Sequence, residues 1–502
     1  MVDTGSRSEP GLQGCESERL HLSGEIQPFG ALLRLDPDGQ VSHASANCGA
    51  VLGIPPEALL GQIPGPLLGG LVGLDELTPL GGFPILRTKA FTAHGDALDL
   101  AVSPSGEGLL LEFEPTGDFS GTHSLKLKSL EAIHLLHSPT VREQPNASFQ
   151  ILTETIADLT GYGRVLIYRF ADDWSGEVVA ETLRRPMQSY QGLHFPAADI
   201  PVIARDLYTL NRQRYIRDAL AGSVPILGCD PADGAPDQTF GDLRSVSPMH
   251  LTYLGNMGVR ASFSASILMR GKLWGLIACH HPEPKPLSLD VRQQLVKIAR
   301  DFSVGLLVYI ASIHLKFIDG IQREVRTMLD SAGHLDLTQG LVRCQDRFLA
   351  LVGADSAAIL TDDSVIRLGD APATDDLALI DHWFDSQDGK GFASTAHLAA
   401  QIPEAETFRA QASGVIALRV RLAWLSGSSL RLFWFRREWP HLVQWAGDPT
   451  KPGGSGGVLT PRQSFTTWSE LARGRARPWE LPDLLAAKTL RACLCSLKVP
   501  AA

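Results

Sequence analysis

The sequence is poor in the features that define several large functional classes. No dense cluster of Lys and Arg stands out, net charge is −10 and the pI is near 5.8. A nucleic-acid partner needs a basic face to neutralise phosphates, so that class of function is disfavoured. The seven cysteines, at 15, 48, 229, 279, 344, 493 and 495, are odd in number, irregularly spaced and without a CxxC pair. That pattern makes no disulfide framework. The start, MVDTGSRSEPGLQG, lacks the apolar core of a signal peptide. The longest apolar run, Phe302–Ile313, is too short to span a bilayer and is closely followed by His314 and Lys316. A cytoplasmic chain without a membrane segment is expected.

Catalytic signatures are equally scarce. There is no GxxxxGK[ST] phosphate loop and no GxGxxG dinucleotide fingerprint. His250 and His280 are not spaced as zinc ligands and have no Cys or carboxylate in an HExxH-type arrangement, so no metal is expected. Ser245 and Ser247 lie in a turn without an evident oxyanion hole, which leaves a hydrolase unsupported. No enzyme is expected within this chain.

What is present is a soluble globular composition, 44% hydrophobic and 20% charged over 502 residues. That length suggests roughly three domains of about 150 residues each. Residues 1–24 read as a polar arm. Ala31–Leu35 and Gln40–Ser45 read as strands joined by the turn Asp36-Pro-Asp-Gly39, and Asn47 as the side-chain cap of a short helix through Leu52. Ala97–Ser103 and Gly108–Glu114 complete a small α/β domain ending near 120. A helix at Ser148–Thr160, strands at Arg164–Phe170 and Glu177–Leu183 and a helix near Ala204–Asn211 open a second domain. Residues 221–242, rich in Gly, Pro and Asp, read as an excursion rather than an element.

The stretch Leu243–His281 organises this second domain. It places His250 on a short helix, then pairs Ser262–Leu268 with Leu273–His280 across the Arg270-Gly-Lys272 turn, so that His280 returns towards His250. Tyr168, Phe195, Asp199, Tyr208, Arg214, Arg244, Tyr253, Ser262 and Ser264 accompany the pair. Aromatic rings, two arginines and hydroxyls suit a large planar ligand bearing carboxylates.

From Leu295 to Leu329 apolar residues recur every three or four positions, as in one helix of about 60 Å if roughly 40 residues are helical. Two helices with a bend near Gly305 are the alternative. A third domain follows, with a hairpin of Gly414–Leu425 and Ser429–Arg437 whose pattern suits burial on both faces. Pro461–Glu470 is ambivalent: Phe465, Trp468 and Leu471 have helical spacing, yet Phe465-Thr-Thr-Trp468 is β-prone.

The sequence resembles a bacteriophytochrome photosensory module with PAS, GAF and PHY domains. The resemblance rests on Cys15 before Glu25-Ile-Gln-Pro-Phe-Gly30, Phe195-Pro-Ala-Ala-Asp-Ile-Pro201, Arg244-Ser-Val-Ser-Pro-Met-His250, Trp274-Gly-Leu-Ile-Ala-Cys-His-His281 and the PRxSF stretch Pro461–Phe465. It implies a mixed α/β (α+β) fold of three antiparallel sheets with flanking helices, joined by the long helix. An N-terminal segment around Ile26 would be knotted through the 221–242 loop. The implied division is an arm at 1–24, PAS at 25–120, GAF at 121–312, PHY at 313–490 with a tongue at about 440–480, and a tail at 491–502.

The resemblance also implies a chromophore, biliverdin, held by a thioether. Of the family's two attachment places, the one just before the pocket histidine is Met249, which has no thiol; Cys15 is therefore the expected attachment residue. Asp199 and His250 are expected at the pyrrole nitrogens, and Arg214 and Arg244 on one propionate. Ser262, Ser264 and His250 are expected on the other propionate, helped by Tyr208. His280 is expected at the D-ring carbonyl, Tyr168, Phe195 and Tyr253 around that ring, and Ile200 and Ser247 as further lining. In the tongue, Arg462 would pair with Asp199 in the dark and Ser464 after photoconversion, with Trp468 and Glu470 as the WxE element. The implied function is red/far-red light sensing. No histidine-kinase region follows, so the output, a two-component kinase with its response regulator or another partner, is expected outside this chain. A homodimer through the long helices is also implied. A non-photochemical ligand-binding or dimerising GAF/PAS module is the alternative.

Overall fold

The computed structural model describes residues 18–65, 86–116, 145–171, 173–230, 234–332, 337–387, 391–421, 429–449 and 464–496. These residues fall into two units, one of Met1–Val308 with Gln444–Trp468, the other of Tyr309–Val443 with Ser469–Ala502.

The first unit contains an antiparallel sheet in the order Glu25–Ile26, Val224–Gly228, Val41–Ser45, Ala31–Leu35, Gly108–Pro115, Ala97–Ser105, Leu86–Phe91. Alternate residues Leu33, Leu35, Val41, Leu100, Val102, Leu111 and Phe113 form its core with Cys48 and Leu52. Gly39, with φ of 81°, closes the Asp36 turn by donating to the Asp36 carbonyl. Two expectations need correction here. The 221–242 stretch contains the strand Val224–Gly228, which its Gly/Pro/Asp-rich neighbours hid. Asn47 does not cap the helix Cys48–Leu52 with its side chain; its Nδ2 donates to the Gly30 carbonyl at 2.8 Å.

Glu25–Gln27 passes between the two ends of the 224–245 loop. On one side Glu25 pairs with Pro225 and Ile26 with Val224. On the other, Ile26 bridges Arg244, Gln27 N–H donates to the Leu243 carbonyl and Ser245 N–H to the Glu25 carbonyl. Gln27 is buried and its side chain donates to the Tyr215 carbonyl at 2.8 Å.

A second sheet in this unit runs Gln213–Ile216, Ala261–Met269, Lys272–His281, Arg164–Phe170, Gly176–Leu183, His194–Phe195, all antiparallel. Arg270 and Gly271 both have positive φ, the geometry of a tight two-residue hairpin turn. Beyond His194 the order changes, because Trp445 pairs with it in parallel. The sheets are antiparallel as expected, with this short parallel pairing added at Trp445.

One uninterrupted helix, Leu289–Ala332, leads out of the first unit. Gly305 does not break it, so the two-helix alternative falls. The second unit is built on a sheet in the order Val365–Leu368, Ser356–Leu360, Ser429–Arg436, Gly414–Arg421, Phe392–Thr395. Ile416, Leu418 and Val420 face one core with the helix Leu481–Cys495, while Val415 and Ala417 face another with the helix Thr374–Ser386. Burial on both faces follows from that split. The ambivalent stretch is extended at its end, as the strand Thr467–Ala472.

Candidate functional site

Strand alternation and register build one face of the second sheet into a pocket floor. Ser262, Ser264 and Ser266 share a side of their strand, as do Leu276, Ala278 and His280 of theirs. Across the strands Ser262 lies opposite His280, and His280 opposite Arg164. Ser264 lies opposite Arg214, and Leu276 opposite Tyr168. The reverse face, with Val165, Ile167, Phe263, Ala265, Ile277 and Cys279, is apolar and buried.

Two helices and a loop close over the floor. The helix Val202–Leu210 brings Tyr208, whose hydroxyl shares a 2.6 Å hydrogen bond with Ser264 Oγ. Pro248 opens the helix Pro248–Asn256, where its fixed φ and missing N–H cost nothing. That helix carries His250 and Tyr253, with nearly parallel rings whose centroids are 6.2 Å apart. The loop after Phe195 supplies Asp199, and the Tyr253 hydroxyl donates to its Oδ2 at 3.0 Å. Tyr168, Phe195, Phe465, Ile200, Tyr208 and Tyr253 belong to one apolar cluster. Phe465 meets Tyr253 edge-on at 5.1 Å between ring centroids.

His250, Tyr208 and Arg214 keep accessible surface although they lie deep within the domain. The surface they show therefore lines an internal hollow rather than the protein's exterior. Burial, then the charge of Arg214, hold the His250 imidazole down to about 4, so it is neutral at physiological pH. His280 is lowered too, by burial first and Arg164 next.

The two arginines are the unusual feature. Arg214 Nη2 donates to the carbonyls of Arg244 and Ser245, each at 2.7 Å. Yet Nη1 of Arg214 and Nη1 of Arg244 are buried and find no hydrogen-bond partner among the described residues. Burial and the neighbouring Arg244 push Arg214 down to about 9; burial leads the downward shift of Arg244. Asp242 and Glu112 act electrostatically on both arginines, but among the described residues nothing accepts from these two Nη1 groups, which leaves them to a ligand anion.

Comparison with known proteins agrees with the geometry. The chain matches family models for a PAS fold over residues 15–116, a GAF domain over 144–306 and a phytochrome region over 321–499. It is 32% identical to the bacteriophytochrome of Xanthomonas campestris over 96% of this chain and 78% of that protein. The chain belongs to the phytochrome family. It has the PAS, GAF and PHY regions of these red/far-red photoreceptors, in that order. Cyanobacterial phytochrome B of Nostoc is 32% identical over 97% of this chain and 66% of its own length. The phytochrome photosensory core module of Stigmatella aurantiaca superposes with a TM-score of 0.84 at 30% identity, covering 97% of this chain and 98% of that one. The chain spans about two thirds of the length of the curated relatives first matched.

Within this phytochrome, the remaining expected residues are distributed as follows. Ser247, expected to line the ligand, donates to Glu18 Oε2 at 2.8 Å and so ties the arm to the start of the His250 helix. Ser464 Oγ shares a 2.9 Å hydrogen bond with Thr466 Oγ1, and Trp468 and Glu470 are exposed. Cys15 and Arg462 lie outside the described residues. Sequence reading missed Arg164, Gln188 and Tyr190. The signal for Arg164 was a charge heading the apolar strand Arg164–Phe170, and its guanidinium lies over the Tyr190 ring at 4.1 Å. Among the described residues no group of three or more His, Cys, Asp or Glu is placed to hold a metal ion. No described helix is long and apolar enough to cross a membrane.

Proposed function

We propose that this chain is the light-sensing part of a red/far-red photoreceptor that holds biliverdin, a linear tetrapyrrole with two carboxylates, through a thioether to Cys15. The observation that carries this reading is the pair of buried guanidiniums with idle Nη1 groups at an aromatic-lined hollow. A dicarboxylate with a planar conjugated body fits that donor set, since guanidinium forks match carboxylates.

Arg214 and Arg244 would take one propionate, and Ser262, Ser264 and Tyr208 with His250 the other. Asp199 and His250 would face the pyrrole nitrogens, where nearby acceptors favour a protonated ligand. Tyr168, Phe195 and Tyr253 would exclude water around the ring that His280 contacts. When bound, the bilin supplies visible absorption and a double bond that isomerises on excitation. Glu18, held by Ser247, is three residues from Cys15, a reach of roughly 10 Å at most. The arm can therefore deliver the thiol close to the His250 helix.

The same reading divides the chain into an arm to 24, PAS to 120, GAF to 312 and PHY to 490. The tongue would exchange its Asp199 partner, Arg462 for Ser464, while Trp468 and Glu470 refold towards helix. Output would pass to a histidine kinase and its response regulator, in the cytoplasm. Val304 and Val308, 56% and 43% exposed and one turn apart, support a homodimer along the long helix.

The purified chain mixed with biliverdin should acquire a red or far-red absorption band that converts reversibly under red and far-red light. Cys15→Ser should leave the pigment extractable after denaturation. A bound pigment indifferent to light would favour the non-photochemical module, and no uptake at all would overturn the reading.

A further inference from the structure

A hydrogen-bonded chain runs from His280 to the main chain of the PRxSF stretch, all within the first unit. Arg164 is 0% exposed and forms no ion pair among the described residues. Its guanidinium instead directs Nε and Nη2 at His280 Nδ1, at 3.2 and 3.0 Å. Its third nitrogen, Nη1, donates to the Gln188 carbonyl at 2.8 Å. The Gln188 side chain then donates from Nε2 to the Phe465 carbonyl at 2.6 Å. Phe465 is 4% exposed and also packs on Tyr190, the ring beneath the Arg164 guanidinium.

A guanidinium has five N–H donors and no acceptor lone pair. An imidazole nitrogen that faces two of those donors must therefore carry a lone pair rather than a proton. With Nδ1 so occupied, the only place for the imidazole proton is Nε2. A second proton on Nδ1 would set two cations against each other in a buried site. Registry supports the arrangement, because His280 and Arg164 are directly opposite on adjacent strands and share a face.

We propose that Arg164 is a positioning residue that holds His280 as a neutral imidazole with its proton on Nε2, and that Gln188 links this setting to the tongue backbone at Phe465. His280 then presents a donor, which selects a carbonyl oxygen on whatever occupies the hollow. This last consequence rests on the bilin reading above; the tautomer itself does not. The link is separate from the Asp199 site, where Tyr253 rather than Arg164 makes the contact.

The test uses the full chain without biliverdin, labelled with nitrogen-15 at histidine, with His280 assigned by the signals lost in His280→Gln. Two-bond proton–nitrogen correlations distinguish a pyridine-like Nδ1 from a pyrrole-like one. Wild type should show a single Nε2–H form; Arg164→Met should populate the Nδ1–H form, and Arg164→Lys should restore Nε2–H. If Arg164→Met does not fold, Gln188→Leu keeps the proposal exposed, since the main-chain acceptor of Arg164 survives while the tie to Phe465 is lost. In that variant amide exchange over 464–468 should speed up about tenfold, the effect of losing ~1.4 kcal/mol of local protection. A wild-type Nδ1–H form, or an unchanged tautomer in Arg164→Met, overturns the positioning role. Unchanged exchange in Gln188→Leu overturns the link. Failure of the chain to take up biliverdin would instead count against the earlier reading and leave these results standing.

Discussion

The Tyr253 hydroxyl donates to Asp199 Oδ2 at 3.0 Å, while the same ring stands edge-on to Phe465. One side chain thus touches the loop carboxylate, the pocket and the PRxSF stretch. Tyr253→Phe should keep the ring contact and remove only the donor. A typical hydrogen bond of this kind contributes about 1 kcal/mol, or roughly fivefold in an equilibrium. The lifetime of the light-induced state of biliverdin-loaded protein should change by about that factor, followed as absorbance recovery in the dark. Recovery identical to wild type would remove the Tyr253–Asp199 bond from the switching account.

Arg244 gives a prediction of opposite signs in two measurements. Its buried Nη1 lacks a partner among the described residues and sits near Arg214. Arg244→Met should raise the stability of the pigment-free protein by about 1–3 kcal/mol, because a buried cation whose Nη1 has no hydrogen-bond partner among the described residues leaves the interior. The same variant should bind biliverdin about 10–100-fold more weakly, for want of a charge-assisted contact. Denaturant melts and pigment titration read the two effects; a variant that is less stable and binds normally would contradict both.

Acid should weaken the pigment-free protein through its pocket histidines. His250 is held at about 4 in the folded chain against an ordinary 6.5, and His280 is also lowered. Between those limits the unfolded chain binds more protons than the folded one, so stability falls as pH falls. The contribution is fully present above about 6.5 and is lost through about 4. His250→Gln should flatten the stability profile over that window. Equal slopes for wild type and variant, measured by denaturant midpoint, would show that His250 is not the titrating group.

Gly176 marks a place where the backbone makes room for a pocket wall. A Cβ there would lie 1.9 Å from Cζ of Tyr168, with Cε1 and the hydroxyl oxygen of that side chain almost as near. Gly176→Ala should displace the Tyr168 ring and cost about 1–3 kcal/mol, as overpacking does. Thermal unfolding should register the loss. An unaltered melt would mean that the ring has somewhere else to go.

Much of the site is legible in the sequence because two simple periodicities carry it. Alternation places Ser262 with Ser264 and Ala278 with His280 whatever the surroundings. The Arg270-Gly271 turn makes their strands neighbours. Less legible are features whose partners lie far along the chain. Val224–Gly228 sits in a stretch with the composition of a loop; it is a strand because Glu25–Ile26 and Val41–Ser45 flank it. Asn47 has the residue type and position of a cap, but the Gly30 carbonyl claims its amide.

The local sequence by itself determined the alternating faces, the apolar stripe of Leu295–Leu329 and the absence of a thiol at Met249. Those depend on residue spacing and residue identity, which no tertiary contact can alter. Only the tertiary structure decided what each pocket group meets. Strand register put Arg164 opposite His280, and thereby the proton of that histidine on one nitrogen rather than the other. Balanced propensities left 461–470 open, and at Thr467–Ala472 the extended form prevails, next to Phe465, which buries its ring against Tyr190 and Tyr253. Where local preferences nearly cancel, the buried area and hydrogen bonds gained from distant partners choose the conformation.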